Sequence, residues 1–169
     1  MENTLYYTFS TIAQTLAGAI ALLGAFILYR LQKLNSGLDD NAKFIRKQYT
    51  EEEDLVFLNS FIVKGEYKKF LKYSRDKPLA AGIDEELSYV ADVQSKMQEL
   101  LALRKSLIRS FSVSLLLTVS LIAASVIALA VTPSLNARSN ARTASLSLAI
   151  VWFLACLISY VALLRKSLF

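Results

Sequence analysis

Residues 10–26 read STIAQTLAGAIALLGAF. The stretch lies in a run without charged residues from Asn3 to Tyr29, about 27 residues, and a helix of that length crosses a hydrocarbon core of about 30 Å. Two more charge-free runs extend from Ser110 to Ala137 and from Thr143 to Leu164. We therefore predict three transmembrane helices, near residues 5–29, 110–131 and 144–164.

The composition agrees with residence in a membrane. The chain of 169 residues is 54% hydrophobic, and its mean hydropathy is +0.41. A cleaved signal peptide is not favoured, because such a peptide begins with basic residues. Here Arg30 and Lys33 follow the first apolar run instead of preceding it.

The basic residues predict an orientation, since they concentrate in cytoplasmic segments. They flank the three runs mostly on one side: Arg30, Lys33, Lys43, Arg46, Lys47, Arg104, Lys105, Arg109, Arg165 and Lys166. The N-terminus is then outside and the C-terminus cytoplasmic. The expected division is 1–33 as the first transmembrane helix, 34–109 as a cytoplasmic helical domain, and 110–169 as helices two and three around an outer turn at 132–143. The chain resembles the general run of small bacterial inner-membrane proteins, a resemblance that implies an inner-membrane location and no activity.

The cytoplasmic segment carries signals for helices and loops. NSGLDDN at 35–41 is typical of a turn or linker. Thr50 is a candidate N-cap for a helix over 51–63 whose first turn is acidic. After a break at Gly65, EYKKFLKYSR predicts a short helix, and DKPLAAG at 76–82 predicts a loop. Nothing breaks the pattern between Asp84 and Pro133, so one helix is expected over about 85–131.

That long helix contains a stripe with alternating steps of three and four residues, the spacing of a coiled-coil seam. Its cytoplasmic members are Val90, Val93, Met97, Leu100, Arg104, Leu107 and Phe111, and the same register continues as Ser114, Thr118, Leu121, Ser125 and Ala128. Large apolar residues suit association in water, whereas small and hydroxyl residues suit association in lipid. The stripe fits an interface between subunits and a packing face within one subunit equally well, and chance is a weaker third explanation.

The first apolar run separates into two faces on a helix. The bulky face holds Ile12, Leu16, Ile20, Leu23 and Ile27. The small-residue face holds Ser10, Ala13, Gln14, Ala17, Ala21, Gly24 and Ala25. Small residues at every fourth position let helix backbones approach closely, and an amide in hydrocarbon needs a partner or water. The small-residue face therefore predicts packing against the other two spans, a homo-oligomeric interface, or a pore lining.

One basic cluster is interleaved with aromatic residues: Lys64, Lys68, Lys69, Lys72, Arg75 and Lys77. It fits a solvated helix face best. It also fits a surface for anionic lipid headgroups or an anionic ligand such as a nucleotide. The acidic run Glu51–Asp54 is a poor cation chelate, because consecutive helical residues point in different directions.

Motifs for catalysis are absent from the sequence. The chain has no histidine and a single cysteine, Cys156, so the commonest general base and metal ligand are missing. No phosphate-binding loop, dinucleotide fingerprint or nucleophile elbow occurs. We expect no enzyme activity, no cofactor and no metal.

The expectation from sequence is an all-α integral membrane protein with three transmembrane helices. A cytoplasmic helical insertion separates the first two, and the second is continuous with a long cytoplasmic helix. Its expected function is that of a non-enzymatic inner-membrane homo-oligomer acting as a pore or membrane effector, with the cytoplasmic helices regulating it or docking a protein partner. The alternatives are a scaffold subunit of a larger membrane complex and a lipid-interacting membrane protein. Membrane lipid is an expected partner, and nucleic acid is disfavoured.

Overall fold

The computed structural model describes the backbone of residues 3–77, 84–136 and 139–168, and side-chain surroundings for residues 6–77, 88–130 and 143–167. Five α-helices account for the described elements, and these ranges contain no strand. The helices are α1 Asn3–Arg46, α2 Glu52–Val63, α3 Tyr67–Asp76, α4 Asp84–Asn136 and α5 Ser139–Leu168. Helices α1, α4 and α5 are each long and apolar enough to cross a membrane. The all-α class and the three candidate spans are thus confirmed.

The chain divides into two compact units. The apolar unit comprises Met1–Leu28 and Leu107–Phe169, and the charged unit comprises Tyr29–Ser106. Helices α1 and α4 contribute a segment to each unit, as a single long α4 was expected to do.

The apolar unit buries the bulky face of α1. Leu16 is fully buried and Leu23 is 7% exposed, and both belong to a core cluster with Leu121 of α4 and Cys156 of α5. In a membrane, such packing is stabilised by van der Waals contact and interhelical hydrogen bonds. The hydrophobic effect does not drive it, because lipid tails are as apolar as the side chains.

The charged unit has a core of the kind found in soluble proteins. Helices α1, α2, α3 and α4 all contribute to it. The buried cluster consists of Leu38, Ala42, Ile45, Tyr49, Leu58, Ile62, Tyr67, Phe70, Leu71, Val90, Val93 and Met97. Burying each large aliphatic side chain from water contributes about 1.5–3 kcal/mol. Most of the stability of this unit therefore comes from apolar burial.

The predicted turn at residues 35–41 is wrong, because α1 continues through it to Arg46. Leu38 is fully buried in the charged core. Gly37 lies against α4, where an added Cβ would meet Leu100 at 3.6 Å. An ion pair between Lys43 and Asp39, 2.6 Å apart, spans one helical turn of the same segment. Tertiary packing overrides the weak turn preference of Asn, Ser, Gly and Asp.

The two short helices were placed well, with small errors at their ends. Helix α2 covers all but the first predicted residue, and Gly65 makes the break with a positive φ of 66°. The N-cap is Glu51, without a side-chain capping bond, and not Thr50 as predicted. Helix α3 includes Asp76, so the predicted loop begins one residue later at Lys77; its remainder from residue 78 lies outside the described residues.

The predicted outer turn at 132–143 is largely helical. Helix α4 passes through Pro133 and ends at Asn136, and α5 begins at Ser139. Proline favours a helical φ, but it lacks the backbone N–H and crowds the carbonyl four residues earlier. Near the end of a long helix that loss does not stop the final turn.

Candidate functional site

The small-residue face of α1 points away from the rest of the apolar unit. Gln14, Ala17, Ala21 and Ala25 are exposed, while Ser10, Ala13 and Gly24 are half-buried. An added Cβ at Gly24 would lie 3.7 Å from the Phe111 ring. The bulky face packs inside the chain instead. Packing within the chain therefore does not account for Gln14 or for most of the alanines beside it.

Gln14 has no side-chain hydrogen bond within the part of the chain that the structure describes. Its neighbours on the exposed surface of α1 include Thr11, Thr15 and Gly18. Around Gly18 there is open space, since nothing lies within 4 Å of a Cβ built there. The surface is thus both polar and indented, which suits close approach by another helix.

The stripe along α4 is buried within its own chain. In the apolar unit, Ser114, Thr118, Leu121 and Ser125 are each at most 2% exposed. In the charged unit, Val90, Val93 and Met97 are buried, Leu100 is partly buried and Arg104 is half-buried. Leu107, the first residue of the second apolar segment, is fully buried. The sequence left open whether the stripe packs between subunits or within one; in the described residues it is a packing face inside this chain.

Hydroxyl groups join α4 to α5 along this stripe. The Oγ atoms of Ser114 and Ser159 are 2.6 Å apart. Thr118 Oγ1 donates to the Ser114 carbonyl at 2.7 Å and also contacts the Tyr160 hydroxyl. Such bonds strengthen helix association in lipid, and they place Ser114 and Thr118 in the contact between α4 and α5.

Ser125 differs from these neighbours, since its buried Oγ has no hydrogen-bond partner among the residues that the structure describes. It lines a cavity of about 130 Å³ between α4, α5 and the start of α1. Trp152, half-buried on α5, lines the same cavity.

The basic cluster of the sequence is divided between different surfaces. Lys68, Lys72 and Arg75 occupy one face of α3 at steps of four and three residues. Lys69 pairs with Glu66 at 3.0 Å. Lys64 is exposed beyond the end of α2, and Lys77 joins an acidic site described below.

The face of α3 that carries Lys68, Lys72 and Arg75 borders a groove against α4. We call it the basic groove: a cavity of about 410 Å³ lined by Lys68, Leu71, Lys72, Arg75, Asp76, Gln98, Leu101, Ala102 and Lys105. Arg75 Nη2 donates to Gln98 Oε1 at 2.8 Å, which holds the guanidinium at the edge of the groove. A second cavity of about 240 Å³ shares Lys68 and Leu101 with it and adds Lys69 and Arg104.

Sequence reasoning missed the contribution of α4 to the basic groove. Gln98, Leu101 and Lys105 repeat at steps of three and four, which places them on one helix face. The spacing alone was visible in the sequence. Which helix would lie opposite that face was not.

Four side chains form a hydrogen-bonded and ion-paired site on another side of α3: Glu51, Asp54, Tyr73 and Lys77. Asp54 is buried and accepts hydrogen bonds from Lys77 Nζ at 2.5 Å and from the Tyr73 hydroxyl at 2.6 Å. Lys77 also pairs with Glu51 at 3.1 Å. The Lys77 ammonium and then the Tyr73 hydroxyl lower the pKa of Asp54, and the two carboxylates raise the pKa of Lys77. Asp54 is thus a structural acceptor, a role beyond the expected helix-end charge.

Tyr49, which follows the end of α1, contacts the C-terminal end of α3. Its hydroxyl lies 3.1 Å from the Ser74 carbonyl and 3.0 Å from the Lys77 carbonyl. Burial raises the pKa of Tyr49, so the phenol remains a neutral donor at physiological pH.

Groups suited to metal or nucleophilic chemistry do not assemble in the described residues. No group of three or more His, Cys, Asp or Glu side chains there could hold a metal ion. Cys156 is a free thiol buried in the apolar core. The sites that stand out are therefore the exposed small-residue face of α1 and the basic groove.

Searches against protein-family models, curated proteins and solved structures find no match to this chain.

Proposed function

We propose that the protein is a non-enzymatic inner-membrane protein that assembles as a homo-oligomer through the small-residue face of α1, and that the assembly acts as a pore or membrane effector. The observation that carries this proposal is the exposure of Gln14 among alanines, on a helix whose opposite face, with Leu16, Leu23 and Ile27, is buried. A lipid-facing helix surface needs neither small residues nor an amide.

A second copy of α1 is the partner whose chemistry fits best. A glutamine amide both donates and accepts, so two Gln14 side chains can satisfy each other across a symmetric interface. The exposed alanines and the open space at Gly18 let two backbones approach. In a larger ring, the same amides would face water at the centre.

The orientation proposed for this assembly places the charged unit in the cytoplasm and the N-terminus outside. Support comes from the basic residues that flank the apolar runs, among them Arg30 and Lys33 after the first and Arg165 and Lys166 after the last. Cytoplasmic segments carry such an excess.

The charged unit is then the regulatory or partner-docking part. Helix α2 exposes Val56, Phe57 and Val63, at 65%, 53% and 80%. These apolar side chains also support the alternative of a scaffold subunit, in which α2 would bind another protein of a membrane complex.

Cysteine cross-linking tests the interface. Replacing Cys156 by Ala removes the sole native thiol, and Ala21→Cys then places a thiol on the small-residue face. Oxidation in membranes should give a disulfide-linked dimer. Ile158→Cys is the matched control, because Ile158 is 70% exposed on α5 among bulky neighbours and should stay monomeric.

Two results would contradict the proposal. One is equal cross-linking at Ala21→Cys and Ile158→Cys, which would reflect random collision. The other is a strictly monomeric mass for the native chain in nanodiscs. If the chain is oligomeric but Gln14→Leu leaves reconstituted bilayers without any change in current, the scaffold function is favoured over the pore.

A further inference from the structure

We propose that the basic groove between α3 and α4 binds the phosphate headgroup of an anionic phospholipid. The inference adds a ligand site in the charged unit. It requires only that the chain resides in a membrane and does not depend on self-association through α1.

The cations of the groove come from two helices. Lys68 and Lys72 project from α3 and Lys105 from α4. None of these three lysines has an ion-pair partner among the residues that the structure describes. Like charges that share a cavity raise its potential and attract an anion.

The polar edge of the groove is partly arranged before a ligand arrives. Gln98 accepts one N–H of Arg75 at 2.8 Å, and a guanidinium has further donors available for phosphate oxygens. Asp76 is the single carboxylate of the lining against four cationic side chains. The balance favours a ligand with more than one negative charge.

The rest of the lining is apolar and favours an amphiphile over a simple anion. Leu71, Leu101 and Ala102 line the groove beside the cations. A free phosphate would leave this surface wet, whereas the glycerol and first methylenes of a lipid would cover it. The cavity of about 410 Å³ lies in the range of small-molecule sites.

The position of Lys105 along α4 agrees with a lipid ligand. It precedes Ser110, where the charge-free run begins, by five residues of one helix. That is a rise of about 7.5 Å, comparable with the headgroup layer on one side of a bilayer. This short separation along the chain keeps Lys105 close to the apolar run that is proposed to enter the bilayer.

The test is a titration of the full-length protein in detergent, followed by native mass spectrometry. Three probes are compared: dihexanoyl phosphatidic acid, dihexanoyl phosphatidylcholine and glycerol 3-phosphate. Phosphatidic acid should bind about tenfold more tightly than phosphatidylcholine, whose headgroup carries a compensating cation. Glycerol 3-phosphate, which lacks acyl chains, should bind more weakly than phosphatidic acid.

Variants identify the site. Lys72→Gln with Lys105→Gln should weaken phosphatidic acid binding roughly 30-fold, since each lysine near a membrane surface contributes about fivefold. The matched control is Lys47→Gln with Lys96→Gln, which removes the same charge from exposed positions outside the groove. It should change binding by less than about twofold.

Equal losses in the two double variants would overturn the proposal, because they would indicate general attraction and no groove. Equal binding of glycerol 3-phosphate and phosphatidic acid would assign the groove to soluble phosphate esters and overturn the lipid source. Far-UV circular dichroism checks that the groove variant is folded. If it is not, Lys72→Gln alone should still lose about fivefold, and an unchanged affinity would count against the site.

Discussion

Helix α4 packs along one register in both units, but with different side chains. In the charged unit the buried positions are Val90, Val93 and Met97, whereas in the apolar unit they include Ser114, Thr118 and Ser125. Water expels large apolar groups, so bulk stabilises the first segment. Lipid does not, so close approach and hydroxyl bonds stabilise the second. The residue types along the stripe therefore match packing in water for the first segment and packing in lipid for the second.

The largest effect is expected in the core of the charged unit. Met97 is fully buried in the charged core, so Met97→Ala should destabilise the charged unit by about 2–5 kcal/mol. Hydrogen exchange by mass spectrometry on the full chain in nanodiscs should show faster exchange in α2 and α3. Exposed Lys96, one residue away, supplies the control Lys96→Ala, which should change stability by less than about 0.5 kcal/mol. Equal effects at the two positions would contradict the packing assignment.

A smaller effect should appear on acidification, again in the charged unit only. The pKa of Asp54 is lowered by Lys77 and Tyr73. The stabilisation is therefore complete above the ordinary aspartate pKa of about 3.9 and is lost as the pH falls through the lower folded value. Lys77, whose pKa is raised, keeps its charge throughout this range.

The measurement is hydrogen exchange of α2 and α3 from pH 6 downwards, after correction for the intrinsic exchange rate. Asp54→Asn should be less stable at neutral pH and should lose the acid dependence attributed to this carboxyl group. The apolar unit, whose described spans contain no carboxylate between Tyr6 and Leu28 or between Ser110 and Ala130, should respond little. An acid response unchanged by Asp54→Asn would assign it to another group.

The smallest effect is expected for a buried hydroxyl bond in the apolar unit. Thr118→Val keeps the side-chain volume but removes the contacts to the Ser114 carbonyl and the Tyr160 hydroxyl. Interhelical hydrogen bonds in membranes contribute about 0.6 kcal/mol on average, so α4 and α5 should exchange only a few times faster. Val119→Thr, at an exposed position on the same helix, is the control. A loss as large as that of Met97→Ala would mean that hydroxyl bonds dominate this unit.

The helices and the packing stripe of α4 could be predicted from sequence because they depend on local pattern. Charge-free runs identify segments long enough to cross a membrane, and steps of three and four residues define a face on any helix. Gly65 likewise signalled a break through its own backbone freedom, with a φ of 66°.

The errors came from contacts between segments distant in the chain. NSGLDDN is a helix because Leu38 is buried against the charged core, and no local signal contains that information. The pairing of Lys77 with Asp54 and the shared groove of Lys72 and Lys105 were missed for the same reason, since only the fold brings these residues together. The two faces of α1 were visible in the sequence, but which of them the chain would bury was not.

The placement of Trp152 makes the two units optically distinct. It is the sole tryptophan of the chain and lines the cavity beside Ser125 in the apolar unit. The charged unit contains only tyrosine and phenylalanine as aromatic residues. Fluorescence excited at the red edge of tryptophan absorption therefore samples the apolar unit alone, while tyrosine signals such as those of Tyr49 and Tyr73 report mainly on the other. If the two signals are lost at different denaturant concentrations, the two units unfold separately, and one titration of one sample shows both transitions.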